Sequence, residues 1–193
     1  GIEALAVCFL HSYANPANEA RAVEAIGAAF PDLYVSASAD VFPHMREFER
    51  WTTTTINAYT QPMFDRYLGR IEDGLAALGF AGRLYITTSS GGSLAPDAAR
   101  RFPVRALESG PAAGALMSAY HGRVLEEPHV LSFDMGGTTA KGALIHDHEP
   151  LRKYEMEVAR MHEFKRGSGL PVKVPTIDMI EIGAGGGSIA DVD

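Results

Sequence analysis

The apolar run Val130-Leu131-Ser132-Phe133 ends in Asp134, and Met135-Gly136-Gly137-Thr138-Thr139 leads into a second apolar run, Ala143-Leu144-Ile145. No helical period separates the two runs, so the segment reads as strand, tight Gly-Gly turn, strand. Gly136 and Gly137 can take positive φ and bring bare backbone N–H groups close to a ligand. Thr138 and Thr139 add hydroxyl donors. Asp134 stands at a strand end, where a carboxylate can hold magnesium, usually through water. Together these residues have the chemistry of a phosphate-cradling hairpin with an acid on its metal side. A Walker loop would need a Gly-Lys-Ser/Thr step opening a helix, and Lys141 has no such setting. A dinucleotide fingerprint also needs a strand followed by a helix. An ordinary Gly-Gly hairpin remains the alternative reading.

Three further Gly/Ser loops follow a strand or open a helix: Ser89 to Ser93, Ser109 to Gly114, and Gly183 to Ser188. Ligands in open α/β sheets bind at the carboxyl ends of strands. Ser109 and Gly110 would stand at a helix N-terminus, where free N–H groups and the dipole favour an anion; equally, Gly110 and Gly114 could serve close packing on a sheet. Gly185, Gly186, Gly187 and Ser188 could approach a nucleotide or form a connector. Glu108 is a modest candidate for a polar role in the cleft, and Asp178 and Glu181 are weaker ones. His146-Asp147-His148 invites a metal reading, yet it stands where a strand should turn, which favours a solvated turn. Arg46, Glu47, Glu49 and Arg50 read as the solvated face of a helix start. There is no Gly-x-Ser-x-Gly elbow and no HExxH pair.

These loops need a scaffold of alternating strands and helices. Residues 4 to 10 and 33 to 38 read as strands around a helix that starts at Asn15-Pro16 and stops at Pro31. From about Arg50 to Leu78 the apolar residues Ile56, Tyr59, Met63, Tyr67, Ile71, Leu75 and Leu78 recur at helical spacing and should face a core, with Pro62 starting or kinking the second half. A short strand at 84 to 88, a short helix near Pro96 to Arg101 and a helix from Ser109 to about Tyr120 precede the hairpin. Strands near 152 to 158 and 176 to 182 follow. The expected class is α/β, a mixed sheet with helices on its faces.

Composition sets outer bounds. The chain has 193 residues, 46% of them hydrophobic, enough for one large domain or two small ones. Its formal charge of −7 argues against nucleic acid or an anionic membrane as partner. Cys8 is the single cysteine, which leaves no disulfide framework and suits a small core residue in a reducing, cytoplasmic setting. Neither end carries a polar tail, so the expectation is an internal segment of a longer protein.

The hairpin resembles the phosphate loop of the actin, hexokinase and Hsp70 superfamily of ATPases. Arg46-Glu47-Phe48-Glu49-Arg50 with Thr53-Thr54-Thr55-Ile56-Asn57-Ala58-Tyr59, then Ser90-Gly91-Gly92, Glu108-Ser109-Gly110-Pro111-Ala112-Ala113-Gly114, Phe133 to Thr139, and Ile182 to Ala190 together resemble the hydantoinase A / 5-oxoprolinase family. Ser90 departs from an expected asparagine, and Asn18 from an expected histidine. The resemblance implies a ribonuclease-H-like, actin-like fold built of two halves around ATP. Residues 1–45 would close the first half, and 46–193 would open the second. It implies ATP and Mg2+ as cofactors, with Asp134 both catalytic and on the metal. Gly136, Gly137, Thr138 and Thr139 would contact phosphate, with Ser109, Gly110 and Gly185 to Ser188 lining the cleft. The implied activity is ATP-driven opening of a cyclic amide: hydantoin, N-methylhydantoin or 5-oxoproline. Phosphorylating the amide oxygen would make a poor electrophile attackable by water. A second, B-type subunit or domain is the implied partner. An acetone- or acetophenone-type carboxylase subunit and a reactivase-like ATPase module are the alternatives.

Overall fold

The computed structural model describes residues 1–162, 165, 167–189 and 191. In chain order the elements open with β1 (Ala4–Val7), α1 (Ala17–Ala29), β2 (Tyr34–Ala37), α2 (Ser38–Val41) and α3 (Glu47–Ala77). Next come β3 (Ile86–Thr87), β4 (Ser93–Leu94), α4 (Pro96–Arg101) and α5 (Ser109–Val124). The remainder is strand: β5 (His129–Met135), β6 (Ala140–His146), β7 (Glu149–Pro150), β8 (Arg152–Lys153), β9 (Met156–Val158), β10 (Leu170–Val172), β11 (Thr176–Ile177) and β12 (Met179–Ile182). Both parallel and antiparallel pairings occur, β1 with β2 in the first sense and β5 with β6 in the second. The expected α/β class is therefore the observed one.

The chain divides into two compact units that interleave in sequence. The first comprises Gly1–Ile86, Ser93–Leu107 and Glu155–Val174; the second comprises Thr87–Gly92, Glu108–Tyr154 and the residues from Pro175 onward.

In the first unit, α1 links the parallel strands β1 and β2 as anticipated. The Asn15 side chain accepts from the Ala17 amide at 3.1 Å and caps the helix start, and the helix closes at Phe30. Helix α3 runs unbroken through Pro62 for 31 residues. Of the expected apolar stripe, Ile56 packs against the core, but most of the face α3 buries is different. Arg50, Thr53, Thr54, Asn57, Ala58, Pro62 and Leu68 are buried, whereas Tyr59 is 79% and Met63 62% exposed, and Tyr67 and Leu78 are also exposed. Small residues let α3 approach the strands closely, where Tyr or Met would not fit. The fully buried polar side chains of this face are hydrogen-bonded, whereas the Trp51 indole nitrogen on the same helix has no hydrogen-bond partner among the described residues. Thr53 and Thr54 hydroxyls donate to the carbonyls four residues back, at 2.7 Å each. Asn57 donates to Ser36 Oγ and to the Arg101 carbonyl, both at 3.0 Å. A core of Val41, Val104, Met156, Val172 and Val174 completes this unit.

Arg50 corrects a second expectation. It is fully buried rather than part of a solvated face. Its guanidinium donates to Ser38 Oγ (3.1 Å) and to the carbonyls of His44 (2.9 Å) and Phe9 (3.0 Å). Glu19, also fully buried, accepts from the Phe9 amide (2.7 Å), Ser38 Oγ (2.6 Å) and the Ala39 amide (2.8 Å). Burial pushes the Glu19 carboxyl up, but the hydrogen bonds, led by that from Ser38, outweigh it and hold the group below its ordinary value. Ser38 thus joins a buried cation to a buried anion. Burial, then the nearby Glu19 charge, pushes the Cys8 thiol up to about 11, so it stays protonated and is no nucleophile.

In the second unit, β5, β6 and β12 form an antiparallel sheet, with β7 extending β6. Helix α5 packs on one face through Ala112 and Ala115, which meet Ala143 and Ile177. The Ser118 hydroxyl donates to Ser132 Oγ at 3.0 Å. Strand alternation turns Leu131, Phe133 and Leu144 to the opposite, open face. The expected strand at 176 to 182 is split in two at Asp178.

Candidate functional site

The hairpin forms as the sequence indicates. Strand β5 ends at Met135, β6 begins at Ala140, and Gly136 to Thr139 make the turn, closed by the Gly136 amide donating to the Thr139 carbonyl at 2.9 Å. No helix starts at Gly137. Asp134 is exposed and, among the described residues, its carboxylate has no hydrogen-bond or ion-pair partner. The pairing register explains how that is arranged. Lys141 is the cross-strand partner of Asp134, yet its ammonium pairs with Glu108 at 3.2 Å and Glu181 at 3.5 Å instead. The nearest lysine is thereby diverted from Asp134. Glu108 is accordingly an ion-pair residue here rather than a free cleft acid, and Asp178 is similarly held by Lys153 at 3.0 Å.

The glycine-rich loop after β12 docks on this turn. Ile182 pairs with Ala140, so β12 delivers the loop directly beside the hairpin tip. The Gly186 amide donates to the Gly136 carbonyl at 3.0 Å. A Cβ on Gly185 would overlap the Gly137 carbonyl and the Thr138 amide, so only glycine permits this approach. Ser188 closes the loop: its Oγ accepts from the Gly185 amide at 3.0 Å, and its amide donates to the Gly185 carbonyl at 2.8 Å. Gly136, Gly137, Gly185, Gly186 and Ser188 are therefore one cluster, with Gly187 between. Ala190, which ends the last family-like segment, lies outside the described residues. The amides of Gly137 and Thr138 have no backbone acceptor among the described residues.

Helix α5 brings the next candidates. Glu108 caps it in a left-handed conformation (φ 57°) and no side chain caps its N-terminus, so its first amides lack a side-chain acceptor. The Glu108–Lys141 ion pair ties this helix start to β6 next to Asp134. A Cβ on Gly110 or Gly114 would meet nothing within 4 Å. Packing on the sheet is done by Ala112 and Ala115, so close packing does not require glycine at 110. The Thr88 to Gly92 loop sits elsewhere, against Leu116, where Gly91 (φ 86°) leaves no room for a side chain. That is about 10 Å along α5 from its start. Ser90 hydrogen-bonds Thr88 at 3.0 Å in that loop.

The sequence model of the hydantoinase/oxoprolinase family matches residues 50–193, which contain the hairpin, the α5 start and the glycine-rich loop. The chain belongs to the hydantoinase/oxoprolinase family. An uncharacterised protein of Methanocaldococcus jannaschii is 43% identical over 194 residues, covering 99% of this chain and 28% of that protein. Caprolactamase subunit alpha of Pseudomonas jessenii is 34% identical, over 100% of this chain and 26% of that subunit. The nucleotide-free structure of acetone carboxylase, an ATP-dependent enzyme, superposes with a TM-score of 0.79 at 28% identity, covering 99% of this chain and 26% of its own. The chain thus spans about a quarter of the length of these family members. Among the described residues, no helix is long and apolar enough to cross a membrane.

Lys141 and Gly185 were the parts hardest to assign from sequence. Lys141 lies on the same face as Asp134 only once the hairpin register is known. The need for glycine at 185 arises from a partner 48 residues earlier in the chain.

Proposed function

We propose that this chain is the phosphate-handling segment of an ATP-dependent enzyme that opens cyclic amides of the hydantoin, N-methylhydantoin or 5-oxoproline kind. The observation that carries the reading is the unpaired, exposed Asp134 beside open backbone amides, with its cross-strand lysine engaged elsewhere. The donor set fits a magnesium-bound polyphosphate: a free carboxylate suits a hard divalent cation, and uncapped amides suit phosphate oxygens. Asp134 would hold Mg2+. The amides of Gly137 and Thr138, the Thr138 and Thr139 hydroxyls and the start of α5 at Ser109 and Gly110 would take phosphate. Gly185 to Ser188 would close over the turn.

When bound, ATP supplies the phosphoryl group that turns a ring amide into a reactive electrophile. The chain's own residues contribute position and preorganised partial charge, which phosphoryl transfer needs more than it needs a protein nucleophile. In this reading residues 1–45 close the first half of a two-lobed ATPase, 46–193 open the second, and catalysis requires the remaining length of the enzyme with a B-type subunit or domain. The caprolactamase relative acts on a cyclic amide by its name, and three relatives are named as subunits.

The likeness to acetone carboxylase favours a second reading, in which the same fold activates a ketone or bicarbonate. The test is ATP hydrolysis by the protein at the length of its relatives, assembled with its second subunit. Stimulation by hydantoins or 5-oxoproline without bicarbonate supports ring opening. Stimulation only by a ketone with bicarbonate replaces that reading with the carboxylase.

A further inference from the structure

The far end of the same hairpin carries a second constellation, independent of the phosphate reading. His129 opens β5 and His146 ends β6, and the two are direct cross-strand partners. Their rings lie 4.6 Å apart between centroids. The chain then turns through Asp147 (φ 50°) and His148 (φ 65°) into β7, and the His148 amide donates to the Pro128 carbonyl at 3.2 Å. That bond fixes the turn beside the start of β5. It leaves Asp147 Oδ2 3.1 Å from His146 Nδ1. One ligand atom from each of His129, His146 and Asp147 lies within 4.8 Å of the others, and all three side chains are exposed.

We propose that His129, His146 and Asp147 form a divalent transition-metal site, with zinc as the ion it fits best. Two imidazoles and a carboxylate are a ligand set zinc accepts in tetrahedral coordination, with water completing the sphere. Zn–N bonds of about 2.0–2.1 Å require the three ligand atoms to draw closer than they stand. Exposed side chains on a fixed backbone can do this by rotation alone. Glu149 is not a fourth ligand, because Arg123 (3.3 Å) and Arg152 (3.9 Å) occupy its carboxylate.

The site differs from Asp134 in chemistry as well as place. It lies about 17 Å down β5 from that residue, and its imidazoles select against the hard, oxygen-seeking Mg2+. Sequence spacing shows only His146-Asp147-His148. The working set exchanges His148 for His129, which is 17 positions before His146 and arrives through strand pairing. A bound ion would join β5, β6 and the turn after them, clamping the base of the hairpin whose tip carries the glycines.

The test is zinc titration of the chain in competition with a chromophoric chelator. The wild type should saturate at one ion per chain. The His129→Ala/His146→Ala double variant should bind at least about tenfold more weakly, the scale on which even outer-shell changes act. Asp147→Asn should fall between them, and His121→Ala, a surface histidine on α5, should match the wild type. X-ray absorption of the loaded wild type should show two imidazole nitrogens, and circular dichroism of the variants should match the wild type, since all three positions are exposed. Binding that is absent in the wild type, unchanged in the double variant, or reduced equally by His121→Ala overturns the proposal.

Discussion

The two units treat charge in opposite ways. In the first, Arg50 and Glu19 are fully buried and held by hydrogen bonds to Ser38 and nearby backbone, with Glu47 3.6 Å from the guanidinium as its ion-pair partner. In the second, Asp134 is exposed and unpartnered among the described residues, and the nearby Gly137 and Thr138 amides have no backbone acceptor among them. A buried ion network whose hydrogen bonds are complete has no valence left for a ligand. Its work is to fix where α1, α2 and α3 meet. A carboxylate that its own cross-strand lysine ignores has valence left over. The difference shows that charged residues near a helix start need not be surface residues.

The largest effect should come from breaking the sealed network. Arg50→Ala strips Ser38 Oγ and the carbonyls of His44 and Phe9 of a donor and leaves Glu47 without its cation. Leaving a buried acceptor without its donor costs about 1–3 kcal/mol, and three lose theirs here, so the urea midpoint should fall steeply. A change under about 1 kcal/mol would mean that water replaces the guanidinium easily and that the network is not sealed.

Asp134→Asn should act the other way round. It retains shape and removes charge, so turnover of the full-length enzyme should drop about a hundredfold, about 2.7 kcal/mol of transition-state stabilisation. Its melting temperature should stay near that of the wild type. Equal turnover with a lowered melting point would make Asp134 a structural residue like Arg50.

Gly185→Ala sharpens the contrast within the second unit. The new methyl overlaps the Gly137 carbonyl, and overpacking costs about 1–3 kcal/mol. The loop should lift off the turn, seen as faster amide exchange at Gly186. Unchanged exchange at Gly186 would show that the two glycine segments are not docked in solution.

The smallest effect is one of pH. The Glu19 carboxyl sits below its ordinary value, so the unfolded chain binds the proton more readily than the folded one. Its contribution is complete above the ordinary glutamate value and is lost as pH falls through the lower folded value. Stability of the wild type should therefore decline more steeply on acidification than that of Glu19→Gln, measured as urea midpoints across the acid range. Parallel pH profiles would assign the acid sensitivity to other carboxylates.

Much of this architecture was legible locally. Pro96 to Arg101, the start of α1 at Asn15-Pro16 and the Asp134 hairpin all follow from caps, prolines and strand alternation over a few residues. What was not legible depends on which surface meets which. The apolar stripe of α3 has helical spacing, and Ile56 does pack against the core, but Tyr59 and Met63 stay exposed while Thr53, Thr54 and Asn57 are buried, which the spacing of apolar residues alone cannot show. Arg50 reads as solvated until Ser38 and the carbonyl of Phe9, 41 positions away, surround it. In the candidate site, the loops were each visible as glycine clusters. Their union was not, because Gly185 meets Gly137 only through the pairing of β12 with β6.

The central claim is that the hairpin holds magnesium-bound phosphate through Asp134. The most direct measurement is ATP affinity by calorimetry, with and without Mg2+, for wild type and Asp134→Asn at the length of the relatives. The account predicts that Mg2+ tightens ATP binding by the wild type, that this gain disappears in Asp134→Asn, and that both proteins melt alike. An Asp134→Asn protein that keeps the full magnesium-dependent gain would contradict it.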